Sequence, residues 1–121
     1  MSATFKQDGD VSLRPLEKED AEFLQQLIVS PDVRKYLGRT PMPRNLDKVE
    51  DRVESVTGDD SIIQFIIEED GEPAGTIALF DIDRDYRHAE FGAFMVKPDM
   101  HSEGVGTKAL EMLLEYAFDE L

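Results

Sequence analysis

Between residues 93 and 117 the chain reads AFMVKPDMHSEGVGTKALEMLLEYA: an apolar run stopping at Pro98, a polar loop, and an amphipathic segment entered through Gly104 and Gly106. Val105, Ala109, Met112, Leu113, Tyr116 and Ala117 then recur at helical spacing, so the pattern is strand, loop, helix, with one helix face to bury. The first-turn N–H groups of a helix lack intrahelical partners, and its dipole adds partial positive charge there. Glycines at that point let a bulky anion such as a phosphate approach. The same two glycines also suit an ordinary tight strand-to-helix turn. Two better-defined phosphate loops are absent: no Gly-Lys-Ser/Thr follows, and no third glycine with a distant acidic residue completes a dinucleotide fingerprint.

A chain of 121 residues accommodates one domain and one core. It has no cysteine, which excludes disulfide scaffolds, thiolate nucleophiles and thiolate metal sites and fits a reducing cytoplasm. The opening MSATFKQDGD is too polar for a signal peptide. No apolar run approaches the roughly 18 residues of a membrane span, so a soluble cytoplasmic protein with no membrane partner is expected. Acidic residues number 27 against 13 basic, for a formal charge of −14. That charge repels nucleic acid at long range, and no basic stripe interleaved with aromatics offsets it. The acids could attract a cationic substrate. Their spread along the whole chain favours instead a solvated acidic surface suited to high salt.

In chain order, residues 1–10 read as a loose lead-in and Val11-Ser12-Leu13-Arg14 as a short strand ended by Pro15. A helix follows, with Ala21, Leu24, Leu27 and Ile28 as its buried stripe and Glu17, Glu19 and Asp20 placing negative charge at its N-terminus. Ser30-Pro31-Asp32 predicts the cap of a short helix through Leu37 closed by Gly38, and RTPMPRN is a connector. Leu46, Val49, Val53 and Val56 share one face of a third helix, capped by Asn45 and followed by Gly58. Residues 62–69 and 74–82 read as antiparallel strands joined by Asp70-Gly71, a strong hairpin signal. The first is nearly continuous in isoleucine and phenylalanine, as in a strand covered on both faces. After a polar turn at 83–88, residues 89–96 form the strand that feeds the glycine loop.

His101-Ser102-Glu103-Gly104-Val105-Gly106 resembles the acetyl-CoA signature of the GNAT N-acetyltransferase superfamily, Gln/Arg-x-x-Gly-x-Gly/Ala. The order of elements matches that fold through its third main helix, so the resemblance covers nearly all of a single domain, 1–121. VSLRPLEKEDAEFLQQL, SPDVRKYLG and AEFGAFMVKPDMHSEGVGTKAL look in particular like the RimJ/RimL branch, which acetylates protein N-termini or small-molecule amines. The implied architecture is α/β (α+β), a mixed, mostly antiparallel sheet with flanking helices.

The resemblance implies acetyl-CoA as co-substrate, no metal and no covalent enzyme intermediate. It sets the acetyl carbonyl and pantetheine arm along the backbone of Phe94, Met95 and Val96. The pyrophosphate falls on the amides of His101, Ser102, Glu103, Gly104, Val105 and Gly106, with Thr107 at the helix start. A backbone N–H near Phe94 would hold the oxyanion, and Glu90 would take the amine proton directly or through water. Glu90 equally suits an exposed place on an edge strand. His101 stands where the family has Gln or Arg and Glu103 where a basic residue is common; a protonated His101 would supply a cationic contact. Tyr86, Arg87 and His88 fit an acceptor-lining loop and, more simply, a polar turn.

The superfamily continues past this helix with a parallel strand, another helix and a final hairpin. The resemblance therefore implies a domain without its C-terminal part, including the tyrosine that often protonates the departing thiolate. An unpaired strand edge is then expected, with apolar surface from Met112, Leu113, Tyr116 and Phe118 and a homodimer or larger oligomer formed through residues 89–121. The reaction implied is acetyl transfer to a primary amine. The alternative is a non-catalytic module that binds a CoA-like ligand or a partner chain.

Overall fold

The computed structural model describes residues 3–30, 45–83, 85–97 and 104–120. Strands β1 (Lys6–Asp8), β2 (Val11–Pro15), β3 (Ile63–Glu69), β4 (Glu72–Asp83) and β5 (His88–Val96) lie side by side in chain order, and all four pairings are antiparallel. Asp70 and Gly71 take φ of 53° and 83°, the left-handed pair that a two-residue hairpin turn demands and that Asp-Gly adopts at little cost. Helix α1 (Ala21–Val29) follows a 3-10 turn at Lys18–Asp20; α2 (Leu46–Thr57) and α3 (Val105–Glu120) complete the described helices.

Helix α2 starts as its sequence predicts, because Asn45 Oδ1 accepts the Lys48 N–H at 2.9 Å and satisfies one unpaired first-turn donor. Val49, Val53 and Val56 are buried, whereas Leu46, read as part of the same face, is exposed at the helix start. The expected short helix through residues 31–37 and the connector up to residue 44 lie outside the described residues.

Strand β3 is covered on both faces because its successive side chains enter different cores. Phe65 and Ile67 join Val11, Leu13, Ile77 and Leu79 under α3, whose Val105, Ala109, Met112 and Leu113 close that layer. Ile66 points the other way, into a core with Leu24 and Leu27 of α1 and Val49, Val53 and Val56 of α2. The second face also holds a charged centre. Arg14, 8% exposed, gives two 2.8 Å hydrogen bonds to the Asp20 carboxylate and a third, at 2.9 Å, from Nε to Glu68. The Asp20 hydrogen bond above all, with those of Glu68 and the charge of both acids, holds the guanidinium pKa above its ordinary value against the opposing effect of burial. Asp20, expected to serve the helix dipole, is thus committed to Arg14 and to the Glu17 N–H, 2.8 Å away.

Two further sequence expectations fail. The lead-in expected over residues 1–10 contains a strand: Lys6, Gln7 and Asp8 pair with Leu13, Ser12 and Val11 across a turn at Gly9, φ 60°. Phe5 holds that edge by stacking on Phe65 at 5.3 Å and meeting Tyr116 edge-on at 5.1 Å. Met112 and Leu113, expected as uncovered apolar surface, are 5% and 0% exposed because both lie on the stripe of α3 that meets the sheet. Phe118, 79% exposed, does project into solvent.

Candidate active site

Thr76 pairs with Met95 and Ala78 with Gly92, so Ile77 of β4 faces two residues of β5, Ala93 and Phe94. The extra residue is a β-bulge, which withdraws backbone groups from the ladder and bends the strand. Gly75 makes the local approach feasible: a Cβ there would collide with the Met95 carbonyl oxygen and come within 2.9 Å of Val96 Cα. Past the bulge, the Lys97 N–H donates to the Ala74 carbonyl at 2.7 Å and keeps the chain on β4 as it leaves the sheet.

The two glycines at the start of α3 do different things. Gly104 has φ +73°, and a Cβ on it would meet nothing within 4 Å, so it answers a backbone requirement in open space. A Cβ on Gly106 would lie 3.2 Å from Phe94 Cζ and 3.7 Å from Val96 Cγ2, so Gly106 lets the helix close on β5. The Lys108 N–H donates to the Gly104 carbonyl at 3.1 Å. The N–H groups of residues 104–107 precede that bond, where a helix offers no acceptor of its own. Thr107 is exposed and Val105 is buried. His101, Ser102 and Glu103 lie outside the described residues.

The bulge also changes which side chains share a face. Phe94 and Val96 belong to the core under α3, while Met95 packs toward α1 and α2. Glu90 and Gly92 pair with Phe80 and Ala78, placing them on the α1–α2 side. Glu90 is exposed there. Strand β4 carries a bulge of its own, Asp81 and Ile82 opposing Ala89, with Asp81 at φ 51° and the Ile82 N–H given to the Ser61 carbonyl at 2.9 Å. Glu90 therefore stands between two points where the β4–β5 ladder is broken. At the other end of β5, Lys97 Nζ lies 5.8 Å from the centre of the Phe23 ring. Tyr86 is 85% exposed in a turn organised by Asp83, whose Oδ1 accepts the N–H groups of Asp85 and Tyr86 at 3.0 and 3.2 Å. Arg87, φ 55°, ends that turn, and His88 opens β5 opposite Asp83.

Sequence reading picked out Glu90 and the 94–96 run but not the bulge, nor the parts played by Gly75, Gly92 and Phe80. A glycine inside a strand pattern is the available signal for a bulge or a close backbone approach, and both Gly75 and Gly92 carry it. Among the described residues no group of three or more His, Asp or Glu could hold a metal ion, and no helix is long and apolar enough to cross a membrane. An open groove of about 240 Å³ between β1 and α3, lined by Lys6, Gln7, Asp8, Glu111, Met112 and Glu115, lies at the opposite edge of the sheet from β5.

A five-stranded sheet with helices on both faces, its last strand bulged just ahead of a glycine-opened helix, matches a known family. The chain belongs to the GNAT acetyltransferases, since residues 10–121 match the acetyltransferase (GNAT) domain. The spermidine N(1)-acetyltransferase of Escherichia coli (strain K12) is 32% identical over 111 residues, which are 92% of this chain and 59% of that protein. YdaF of Bacillus subtilis (strain 168), provisionally named a ribosomal N-acetyltransferase, is 31% identical over 124 residues, covering 98% of this chain and 67% of its own length. The crystal structure of spermidine N-acetyltransferase from Vibrio cholerae in complex with CoA and spermine has a TM-score of 0.82 at 23% identity, over 93% of this chain and 66% of that one. At that identity the likeness is one of fold. The chain thus spans about three fifths of the length of the Escherichia coli relative.

Proposed function

We propose that this chain is an acetyl-CoA-dependent N-acetyltransferase acting on a primary amine. One observation carries the reading: the bulge of β5 at Ala93 and Phe94 comes just before a helix opened by a glycine at φ +73°. A backbone N–H withdrawn from the ladder near Phe94 suits the thioester carbonyl, with the pantetheine arm along Phe94, Met95 and Val96. The pyrophosphate then takes the amides of Gly104, Val105 and Gly106 together with His101, Ser102 and Glu103, and Thr107 closes the first turn.

The amine nitrogen, once neutral, attacks the carbonyl carbon, and charge moves onto the carbonyl oxygen. A prepositioned N–H donor at that oxygen is worth on the order of 10²–10³ in rate. Glu90 supplies that neutral amine by taking the ammonium proton, directly or through water; as the C–S bond breaks, the second proton lost by the nitrogen passes to water or to the departing CoA sulfur.

Among acceptors, a small cationic amine is supported by the named activity of the Escherichia coli relative. A protein N-terminus is supported by the RimJ/RimL likeness and by the provisional name of YdaF. We rank the small amine first, on the named activity of the Escherichia coli relative. A cytoplasmic site of action is consistent with the lack of cysteine. Self-association through residues 89–121 is supported by the exposed rings of Phe91 and Phe118 and by the place of β5 as the last described strand.

The test combines acetyl-CoA calorimetry with thiol release measured against spermidine, simple diamines and N-terminal peptides. One CoA thiol released per acetylated amine is the expected result. Lack of acetyl-CoA binding in both low and high salt would overturn the proposal, and binding without turnover on any amine would leave the non-catalytic module.

A further inference from the structure

Phe80 is a half-buried aromatic residue that, among the described residues, packs into neither core. Its neighbours in β4, Ile77 and Leu79, point under α3, so Phe80 points to the opposite face, where it pairs directly with Glu90. Side chains in such a pair have Cβ atoms roughly 5 Å apart. The ring leans along the sheet and not away from it. A Cβ on Gly92 would lie 2.9 Å from Phe80 Cε2 and 3.2 Å from Cδ2, so one edge of the ring lies against the glycine two residues beyond Glu90. Glycine at 92 leaves room for one edge of the phenylalanine ring against β5, next to the position of Glu90.

Among the described residues on this face, several groups are already engaged. The Thr76 hydroxyl donates to the Phe65 carbonyl at 2.8 Å and accepts from Gln64 at 2.9 Å. Arg14 is held by Asp20 and Glu68, Lys97 lies over Phe23, and Met95 packs toward α1 and α2. An aromatic face and an exposed carboxylate remain side by side, a combination that attracts a cation twice over, through the ring quadrupole and through the charge.

We propose that Phe80 is a specificity-determining residue for the acceptor: its ring, with one edge held against Gly92, is the wall on which the ammonium of a cationic amine docks before Glu90 takes its proton. The inference rests on the acetyl-transfer reading and adds to it the element that selects a cationic acceptor over a neutral or anionic one. Glu90 alone would hold the ammonium by charge in any orientation. The ring restricts the approach to one side.

The test uses spermidine as acceptor and follows KM and kcat separately. Phe80→Leu keeps the apolar bulk and loses the π face. It should raise the spermidine KM about tenfold, the size of a partly desolvated cation–π contact, with the acetyl-CoA KM unchanged and kcat within about twofold. Phe80→Tyr should restore the parental KM. Gly92→Ala, which displaces the ring, should raise the spermidine KM in the same way and add little in the Phe80→Leu background, because both changes remove one contact. Thermal melts confirm that each variant is folded. A spermidine KM equal in Phe80→Leu and parent, or full additivity in the double variant, would overturn the inference. Failure of the parent to acetylate spermidine would overturn it too, while acetyl-CoA calorimetry shows separately whether the acetyl-transfer reading stands.

Discussion

The sheet face under α3 and the face toward α1 and α2 differ in composition and in what their groups have left to do. Under α3 the strands present Val11, Leu13, Phe65, Ile67, Ile77 and Leu79, all buried and all apolar. The other face carries Arg14, Gln64, Glu68, Thr76 and Glu90 among its apolar residues. Within that second face the polar groups divide again. At β2 and β3 every charge has a partner at 2.8 or 2.9 Å, whereas at β5 Glu90 stands exposed beside an aromatic ring. Buried polar groups with all partners supplied hold a fold together, and a polar group left open next to a broken ladder is placed to meet a ligand.

The largest expected effect comes from breaking the satisfied end. Arg14→Ala leaves Asp20 and Glu68 without their cation at a site where Asp20 is 7% exposed, and should cost about 3–5 kcal/mol in denaturant unfolding. Arg14→Lys should recover only part of this, since an ammonium cannot make the forked contact. On the apolar face, Leu113→Ala removes a side chain with 0% exposure and should cost about 3 kcal/mol in the same measurement. The folded fraction should keep its acetyl-CoA affinity.

The open end should behave in reverse. Glu90→Gln should change stability by less than about 0.5 kcal/mol, as an exposed substitution does. Turnover at neutral pH should fall roughly a hundredfold with acetyl-CoA affinity intact, and the deficit should shrink at alkaline pH, where the amine is already neutral.

The smallest effect lies in a fully exposed polar turn outside both faces. Asp59 Oδ1 accepts from the Ser61 hydroxyl at 2.6 Å and the Ser61 N–H at 2.8 Å, and these bonds hold its pKa below the ordinary carboxylate value. A lowered pKa stabilises the fold above the unfolded-state value of about 3.9 and ceases to do so as pH falls through the folded-state value. Asp59→Asn should therefore melt slightly below the parent at neutral pH, and the gap should close in acid.

Features with short-range causes were legible in the sequence. Asp70-Gly71 could make only a tight turn, Asn45 could only cap, and the unbroken apolar run of β3 required cover on both faces. Gly104 stands out in the sequence as a point of anion approach or of a tight turn, and its φ of +73° shows the backbone requirement. Features that depend on register were not legible. Arg14 and Glu68 are 54 residues apart, and nothing local says that β2 and β3 bring them together. The bulge exists only as a difference in count between β4 and β5, so Gly75 and Gly92 could be marked as unusual without naming what lies over them. Strand β1 was missed because three polar-looking residues, Lys6, Gln7 and Asp8, gain their place from Phe5 packing on Phe65 and Tyr116, contacts outside the strand itself.

An amide-resolved NMR titration of the folded domain with acetyl-CoA tests the central claim most directly. The account predicts the largest shift changes at Phe94, Met95 and Val96 and at Gly104 to Thr107, with little change at Asp59 to Ser61 or in the groove between β1 and α3. Changes confined to Lys6, Gln7, Asp8 and the Glu111–Glu115 stretch, with β5 and the start of α3 unmoved, would contradict it.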